Sequence, residues 1–142
     1  MRIAIVTSTF LPDFIGGREK HVYGLSKSLM RLGYDVRVFT GSHTKGLIND
    51  EYDAVPVTKV PLFTINLFGV GEKIPYRLVS PSFISALRAF NPDIIHAHDY
   101  RHFTTDLAAL YARCADKPLV ITVHGFFLSL IHISEPTRQA EI

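Results

Sequence analysis

Three short constellations in this chain carry groups suited to chemistry: Gly16-Gly17, His98-Asp99 and His124-Gly125. Adjacent glycines leave backbone N–H groups uncovered by any Cβ. Where they open a helix, those donors carry positive partial charge, and phosphate or sugar hydroxyls can approach them closely. A neutral imidazole both donates and accepts hydrogen bonds, which suits sugar hydroxyls. Each signal is weak alone, since glycine pairs occur in ordinary turns and a strand-end histidine is more often structural. Their weight comes from convergence: each follows an apolar strand, and an open α/β sheet binds ligands beyond the carboxyl ends of its strands. Gly16, Gly17, His98, Asp99, His124 and Gly125 are therefore the expected substrate-binding residues.

Two cofactor chemistries compete for the same residues. Alternate strand residues point the same way, so His96 and His98 could share an ion in a metal-dependent hydrolase. The signal is incomplete, because a His-x-His-x-Asp-His run needs further ligands where Tyr100 and Arg101 stand, and a cation at Arg101 opposes a metal. No metal is expected, with His96 packed under a helix and His98 facing the rim. A nicotinamide cofactor is also excluded: the first turn lacks Gly-x-Gly-x-x-Gly, and Phe39-Thr40-Gly41 offers no acid for a ribose.

The elements that must position these groups are legible from periodicity. Strands are expected at Arg2–Ser8, Tyr34–Thr40, Ala54–Val60, Asp93–Ala97 and Leu119–Val123. A helix from Arg18 to Leu32 places Val22, Leu25, Leu29 and Leu32 on one face, Lys20, Lys27 and Arg31 on the other, and Gly33 at its left-handed end. Gly24 within it hints at close packing on the sheet. Ser82–Phe90 and Phe103–Ala115 are further helices, the second aligning Phe103, Leu107, Leu110, Tyr111 and Cys114, with Cys114 read as a core filler. Gly41–Asp53 reads as a polar connection, and Pro61–Val79 as an irregular cover or apolar flap. The alternation predicts an α/β fold, a Rossmann-like parallel sheet with helices on both faces.

At 142 residues, 47% hydrophobic and a formal charge of +2, the chain suits one domain with a core and no nucleic-acid partner. A single cysteine and the absence of a signal-peptide pattern point to the cytoplasm, with peripheral membrane contact through the basic helix face as an alternative. The run Leu128–Ile142 fits nothing before it and resembles the conceptual translation of a sequencing adapter, so native sequence is expected to end near Phe127.

Taken in order, these segments resemble the N-terminal lobe of a family 4 glycosyltransferase of GT-B architecture. The likeness is carried by Arg2–Val6, Phe10-Leu11-Pro12 to Gly16-Gly17, Glu19-Lys20-His21-Val22 and Gly33-Tyr34-Asp35-Val36. It continues through Pro92-Asp93-Ile94-Ile95-His96-Ala97-His98 and Val120-Ile121-Thr122-Val123-His124-Gly125, and covers residues 1–127. The resemblance implies retaining transfer of a sugar from a nucleotide-sugar to an acceptor, in a cleft between this acceptor-side lobe and a C-terminal lobe missing here. It implies that the Gly16-Gly17 loop approaches donor phosphates or acceptor, that His98 lines the acceptor side, and that His124 contacts the transferred sugar. No cofactor is implied, and the fragment alone is expected to be inactive. A stand-alone sugar- or phosphate-binding module is the alternative.

Overall fold

A computed structural model describes residues 1–65, 76–100 and 102–125. The chain runs β1 (Arg2–Thr7), α1 (Gly17–Arg31), β2 (Asp35–Ser42), β3 (Ile48–Tyr52), β4 (Val55–Ile65) and β5 (Tyr76–Val79). It continues with α2 (Ser82–Phe90), β6 (Ile94–His98), α3 (Phe103–Cys114) and β7 (Leu119–Thr122). The sheet order is β3-β4-β2-β1-β6-β7, with β5 pairing to β4. The pairs β1–β2, β1–β6, β2–β4 and β6–β7 are parallel, whereas β3–β4 and β4–β5 are antiparallel.

Period-2 alternation along β1 divides the core. Ile3 and Ile5 face α1 with Val22, Val36, Val38, Val55 and Val57, while Ala4 and Val6 face α2 and α3 with Phe39, Phe83, Leu87, Ile95, Ala97 and Ala108. Helices thus cover both faces of a mostly parallel sheet, as the alternation of elements predicts. α1 ends in the expected left-handed cap. Gly33 has φ +86°, its N–H reaches the Met30 carbonyl, and the N–H of Tyr34 reaches that of Leu29, which satisfies carbonyls the helix cannot.

Several expectations are corrected. The segment read as a polar connection contains β3, whose exposed Ile48-Asn49-Asp50-Glu51 carries no strand pattern and is held by its ladder with β4. Asp53 and Ala54 both have positive φ, 45° and 64°, and close the β3–β4 hairpin as a two-residue turn that demands left-handed backbone at both positions. The strand read as Ala54–Val60 continues to Ile65 and pairs with β5, so the sheet is mixed rather than wholly parallel. Cys114 is exposed, because α3 packs through Thr104, Ala108, Tyr111 and Ala112 against β1 and β6; Leu110 also faces solvent. A Cβ at Gly24 would meet nothing within 4 Å, so that glycine is not required for packing. Leu32 is exposed, the α1 face being built instead on Val22, Ser26 and the partly buried Leu25, Leu29 and Met30. The middle of the expected flap, residues 66–75, and the tail 128–142 lie outside the described residues.

Candidate functional site

Strand order reverses between β1 and β6: β1 leads to β2 on one side, and the chain returns to lay β6 and then β7 on the other. Loops leaving such a point diverge and open a crevice at the carboxyl ends of the strands. The segments that follow β1, β6 and β7 all contribute to this rim, and the residues singled out by sequence lie on them.

The loop between β1 and α1 is anchored from within. Phe10 and Leu11 are buried, the Ser42 hydroxyl donates to Asp13 at 2.7 Å, and Lys59 lies 3.5 Å from the same carboxylate. These contacts tie the loop to β2 and β4. At its end Gly16 is extended and Gly17 begins α1. The two glycines have different reasons. A Cβ at Gly16 would stand 2.5 Å from Oε2 of Glu19, whereas one at Gly17 would meet nothing within 4 Å. Packing accounts for the first glycine and leaves the second open to solvent.

Sequence reading missed the two side chains that organise the rim. Arg18 reaches across the reversal point to Asp99, Nη1 to Oδ2 at 2.6 Å, while its Nη2 contacts Oε1 of Glu19 at 2.8 Å and donates to the Thr9 hydroxyl at 2.7 Å. Thr9 in turn donates to Glu19 at 2.7 Å. Glu19 is 1% exposed, so its charge stands in a region of low polarity and its geometry is fixed by its partners. Burial alone would raise the Glu19 carboxyl, but the Thr9 hydroxyl and Arg18 outweigh it and hold the group below the ordinary range. The same balance lowers Asp99, where burial is overcome by Arg18 and by the backbone N–H of His124. Arg18 is raised, burial being outweighed by its bonds to Asp99 and Glu19. One signal for this was present in the sequence: an acid three residues beyond Gly16, in the first turn of a helix, is the place for a carboxylate at a helix N-terminus.

Asp99 is a hub. Its φ of 69° is left-handed, a conformation Asp tolerates better than most residues, and it turns the chain sharply after β6. Its own N–H bonds the Thr122 carbonyl at 2.8 Å, its Oδ1 accepts the His124 N–H at 2.9 Å, and its carbonyl accepts the Thr105 hydroxyl at 2.9 Å. Both carboxylate oxygens are therefore engaged in holding α1, β6 and the segment after β7 together.

His96 and His98 lie on the α1 side of β6, one residue out of phase with Ile95 and Ala97. His98 does not face the rim as expected: it is fully buried, beneath the exposed His21 and His124. Burial first, and then the imidazoles of His96, His124 and His21, lower its pKa to about 3, so the ring is neutral through the physiological range. His98 Nδ1 and His124 Nε2 are 2.8 Å apart. His96 stacks on His98 with centroids 4.4 Å apart, and its Nε2 is engaged by the Thr122 hydroxyl at 2.7 Å. The pairing of His96 with His98 over a shared ion is thus not what the fold builds. The groups that converge are His21, His98 and His124. His124 and Gly125 lie beyond β7 and are exposed, and among the described residues nothing stands within 4 Å of a Cβ placed on Gly125.

A separate concavity of about 390 Å³ sits under α2, lined by Arg37, Asn49, Thr58 and Phe90 among others, and holds none of the expected site residues. Arg37 spans it, lying over the Phe90 ring and 3.2 Å from Asn49 Oδ1.

Comparison with known proteins agrees with this geometry. The family described as Glycosyltransferase Family 4 matches residues 15–140. A GDP-mannose-dependent alpha-mannosyltransferase of Mycolicibacterium smegmatis is 32% identical over 98 residues, covering 68% of this chain and 25% of that protein. A glycogen synthase of Mycobacterium tuberculosis is 28% identical over 146 residues, covering 88% of this chain and 34% of that protein. The phosphatidylinositol N-acetylglucosaminyltransferase gpi3 subunit of Schizosaccharomyces pombe is 31% identical over 133 residues, covering 87% and 26%. The chain thus spans about a quarter to a third of the length of these relatives. With its mostly parallel sheet, its helices on both faces and its rim at the point of strand reversal, the chain belongs to glycosyltransferase family 4.

Proposed function

We propose that this chain is the acceptor-side lobe of a retaining glycosyltransferase. The lobe takes part in moving a sugar from a nucleotide-sugar to a glycan, lipid or small-molecule acceptor, in a cleft completed by a second lobe downstream. One observation carries the reading: the segments after β1, β6 and β7 are locked to one another across the point of strand reversal by Arg18, Asp99 and the backbone of His124. A rim fixed in this way can hold hydroxyl groups in a reactive geometry without reorganising.

Each residue has a role that its surroundings support. His98 is neutral and buried, and its Nδ1 engages Nε2 of His124 at 2.8 Å. That leaves Nδ1 of exposed His124 to hydrogen-bond the transferred sugar. Gly17 keeps the entrance of α1 open for acceptor or sugar hydroxyls. Asp99 and Arg18 act through position, since their charged atoms are already paired with each other. Arg18 faces two carboxylates, so its guanidinium is already neutralised, and neutralising the departing nucleotide falls to the second lobe.

A cytoplasmic site of action, with peripheral membrane contact for a lipid acceptor, belongs to the same proposal. Among the described residues no helix is long and apolar enough to cross a membrane. Lys27 of the basic α1 face is held by Asp53, which leaves Lys20 and Arg31 for anionic head groups.

The test extends the gene product downstream and supplies GDP- and UDP-sugars. The extended protein should release nucleoside diphosphate in an acceptor-dependent reaction whose product keeps the donor's anomeric configuration. Gly17→Val should lower kcat/KM by about 100-fold while leaving the far-UV circular dichroism unchanged, as expected for a misplacement of about 1 Å at a reacting centre. Turnover by the 142-residue chain alone, or unaltered kinetics in Gly17→Val, would overturn the proposal.

A further inference from the structure

Three imidazoles from three elements converge on one point. His21 comes from α1, His98 from the end of β6 and His124 from the segment beyond β7, and one ligand atom from each lies within 4.8 Å of the others. Their ring centroids stand 5.0 Å (His21–His124), 5.1 Å (His98–His124) and 5.8 Å (His21–His98) apart. Strand alternation produces the grouping, because the phase that sends Ile95 and Ala97 toward α2 and α3 sends His98 toward α1.

Protein contacts leave this cluster incompletely satisfied. His98 is fully buried; its Nδ1 faces His124 and is the nitrogen an ion would take, while its Nε2 has no hydrogen-bond partner among the described residues and is free to carry the ring's proton. Its Nδ1 and Nε2 of His124 stand 2.8 Å apart, so one proton serves two basic nitrogens. Among the described residues, the nearby Arg18 guanidinium faces the carboxylates of both Glu19 and Asp99, so it presents no uncompensated positive charge to an ion. His96 stands outside the group, its Nε2 engaged by Thr122.

We propose that His21, His98 and His124 bind one divalent transition-metal ion of the Zn²⁺ class. Neutral imidazoles suit zinc, nickel and copper, and are poor ligands for magnesium or calcium. A tetrahedral zinc site with Zn–N of about 2.0–2.1 Å sets its nitrogens roughly 3.3 Å apart. His98 and His124 reach that spacing by separating about half an ångström as the ring that holds the shared proton changes tautomer and carries it on its other nitrogen. His21, on the exposed surface of α1, closes the remaining distance by a change of rotamer. Three imidazoles leave a fourth position for water or an anion.

The experiment uses the 142-residue chain without a polyhistidine tag and without any sugar or nucleotide. Its outcome is thus separate from the proposal on glycosyl transfer. Zn²⁺ titrated against a chromophoric chelator should bind at one ion per chain, and Co²⁺ should give visible d–d absorption at the same stoichiometry. His21→Ala and His124→Ala, both at exposed positions where folding is insensitive to truncation, should each weaken binding by about tenfold or more. His43→Ala and His132→Ala should leave it unchanged, and Mg²⁺ should not compete. Absence of stoichiometric binding, or equal affinity in the His21→Ala and His43→Ala proteins, would overturn the assignment.

Discussion

Replacing Gly16 by alanine sets a methyl group against a carboxylate that has nowhere to go. The new Cβ would stand 2.5 Å from Oε2 of Glu19 and 3.4 Å from Cε1 of Phe14. On a surface the carboxylate would swing aside, but Glu19 is 1% exposed and is held by the Thr9 hydroxyl and by Arg18. Forcing such a group to shift is overpacking, and about 2 kcal/mol is expected from the usual range of roughly 1–3 kcal/mol. Glu19→Ala is costly for a different reason. Breaking a buried ion pair costs roughly 3–5 kcal/mol, reduced here to about 2–3 kcal/mol because Arg18 keeps Asp99. The two losses should not add: with alanine at position 19 the methyl at position 16 meets no carboxylate, so the double variant should match Glu19→Ala, a coupling of about 2 kcal/mol. Urea unfolding followed by far-UV circular dichroism reads this directly, since at an m-value of about 1–2 kcal/mol/M each 2 kcal/mol moves the midpoint by roughly 1–2 M. Additivity within about 0.5 kcal/mol would refute the reasoning. Glu19→Gln then separates charge from shape. The Glu19 carboxyl is held below its ordinary value of 4.5 when folded, so its charged form contributes stability above that value and loses it as pH falls through the lower folded value. The difference between the native and Gln proteins should shrink on acidification, and a difference that grows would contradict the assigned sign.

Gly24→Ala should stabilise the fold by about 1 kcal/mol, because the position is an exposed helix interior with open space around the added methyl; a lower thermal midpoint would contradict it. Ala54→Gly should raise stability by about 0.5–1 kcal/mol by relieving a left-handed alanine in the β3–β4 turn, whereas Ala54→Val should lower it. Asp99→Asn keeps the turn and removes the charge facing Arg18, so a loss of about 1–2 kcal/mol is expected by thermal unfolding, smaller than for Glu19→Ala because Asp99 is the more exposed partner. The chain alone should bind UDP and GDP only weakly, with a dissociation constant above about 1 mM by ligand-observed NMR, and micromolar binding would refute the electrostatic reading of the rim.

The layering of this fold was legible because β1, β2 and β6 are short runs rich in β-branched apolar residues and α1, α2 and α3 end at recognisable signals, Gly33, Asn91-Pro92 and Asp116-Lys117-Pro118. β3 was not legible, since Asn49-Asp50-Glu51 has the composition of a loop and becomes a strand only through pairing with β4, a tertiary effect that local propensity does not contain. Cys114 was misassigned because α3 presents two apolar stripes, and only packing against β1 and β6 decides that the small-residue stripe of Ala108 and Ala112 lies inward. The expected site residues Gly16, Gly17, His98, Asp99, His124 and Gly125 all lie on loops, a strand end or a helix start at one edge of the sheet, which follows from topology alone. Local sequence could not reveal that His98 lies beneath His124, or that His21 completes the group. Those depend on the rotation of α1 over β6.

The organisation of the rim follows from where charge is neutralised. Sequence suggested a phosphate cradle at Gly16-Gly17, because a helix entrance offers donors and positive partial charge. The fold brings its own anion to that place, with the Glu19 carboxylate close against Gly16 and the cation beside it shared between Glu19 and Asp99. Among the described residues, an incoming diphosphate would meet two carboxylates and one guanidinium, a repulsive arrangement in a partly dry site, whereas a hydroxyl meets only fixed donors and acceptors. Rigid positioning and affinity for phosphate therefore conflict at this rim. The Arg18 network resolves the conflict in favour of positioning: its cation holds α1 to β6, and Gly17 and His124 stay exposed. On the proposed reading, a lobe built this way orients an acceptor and a sugar and leaves the charge of the nucleotide to a facing cationic surface.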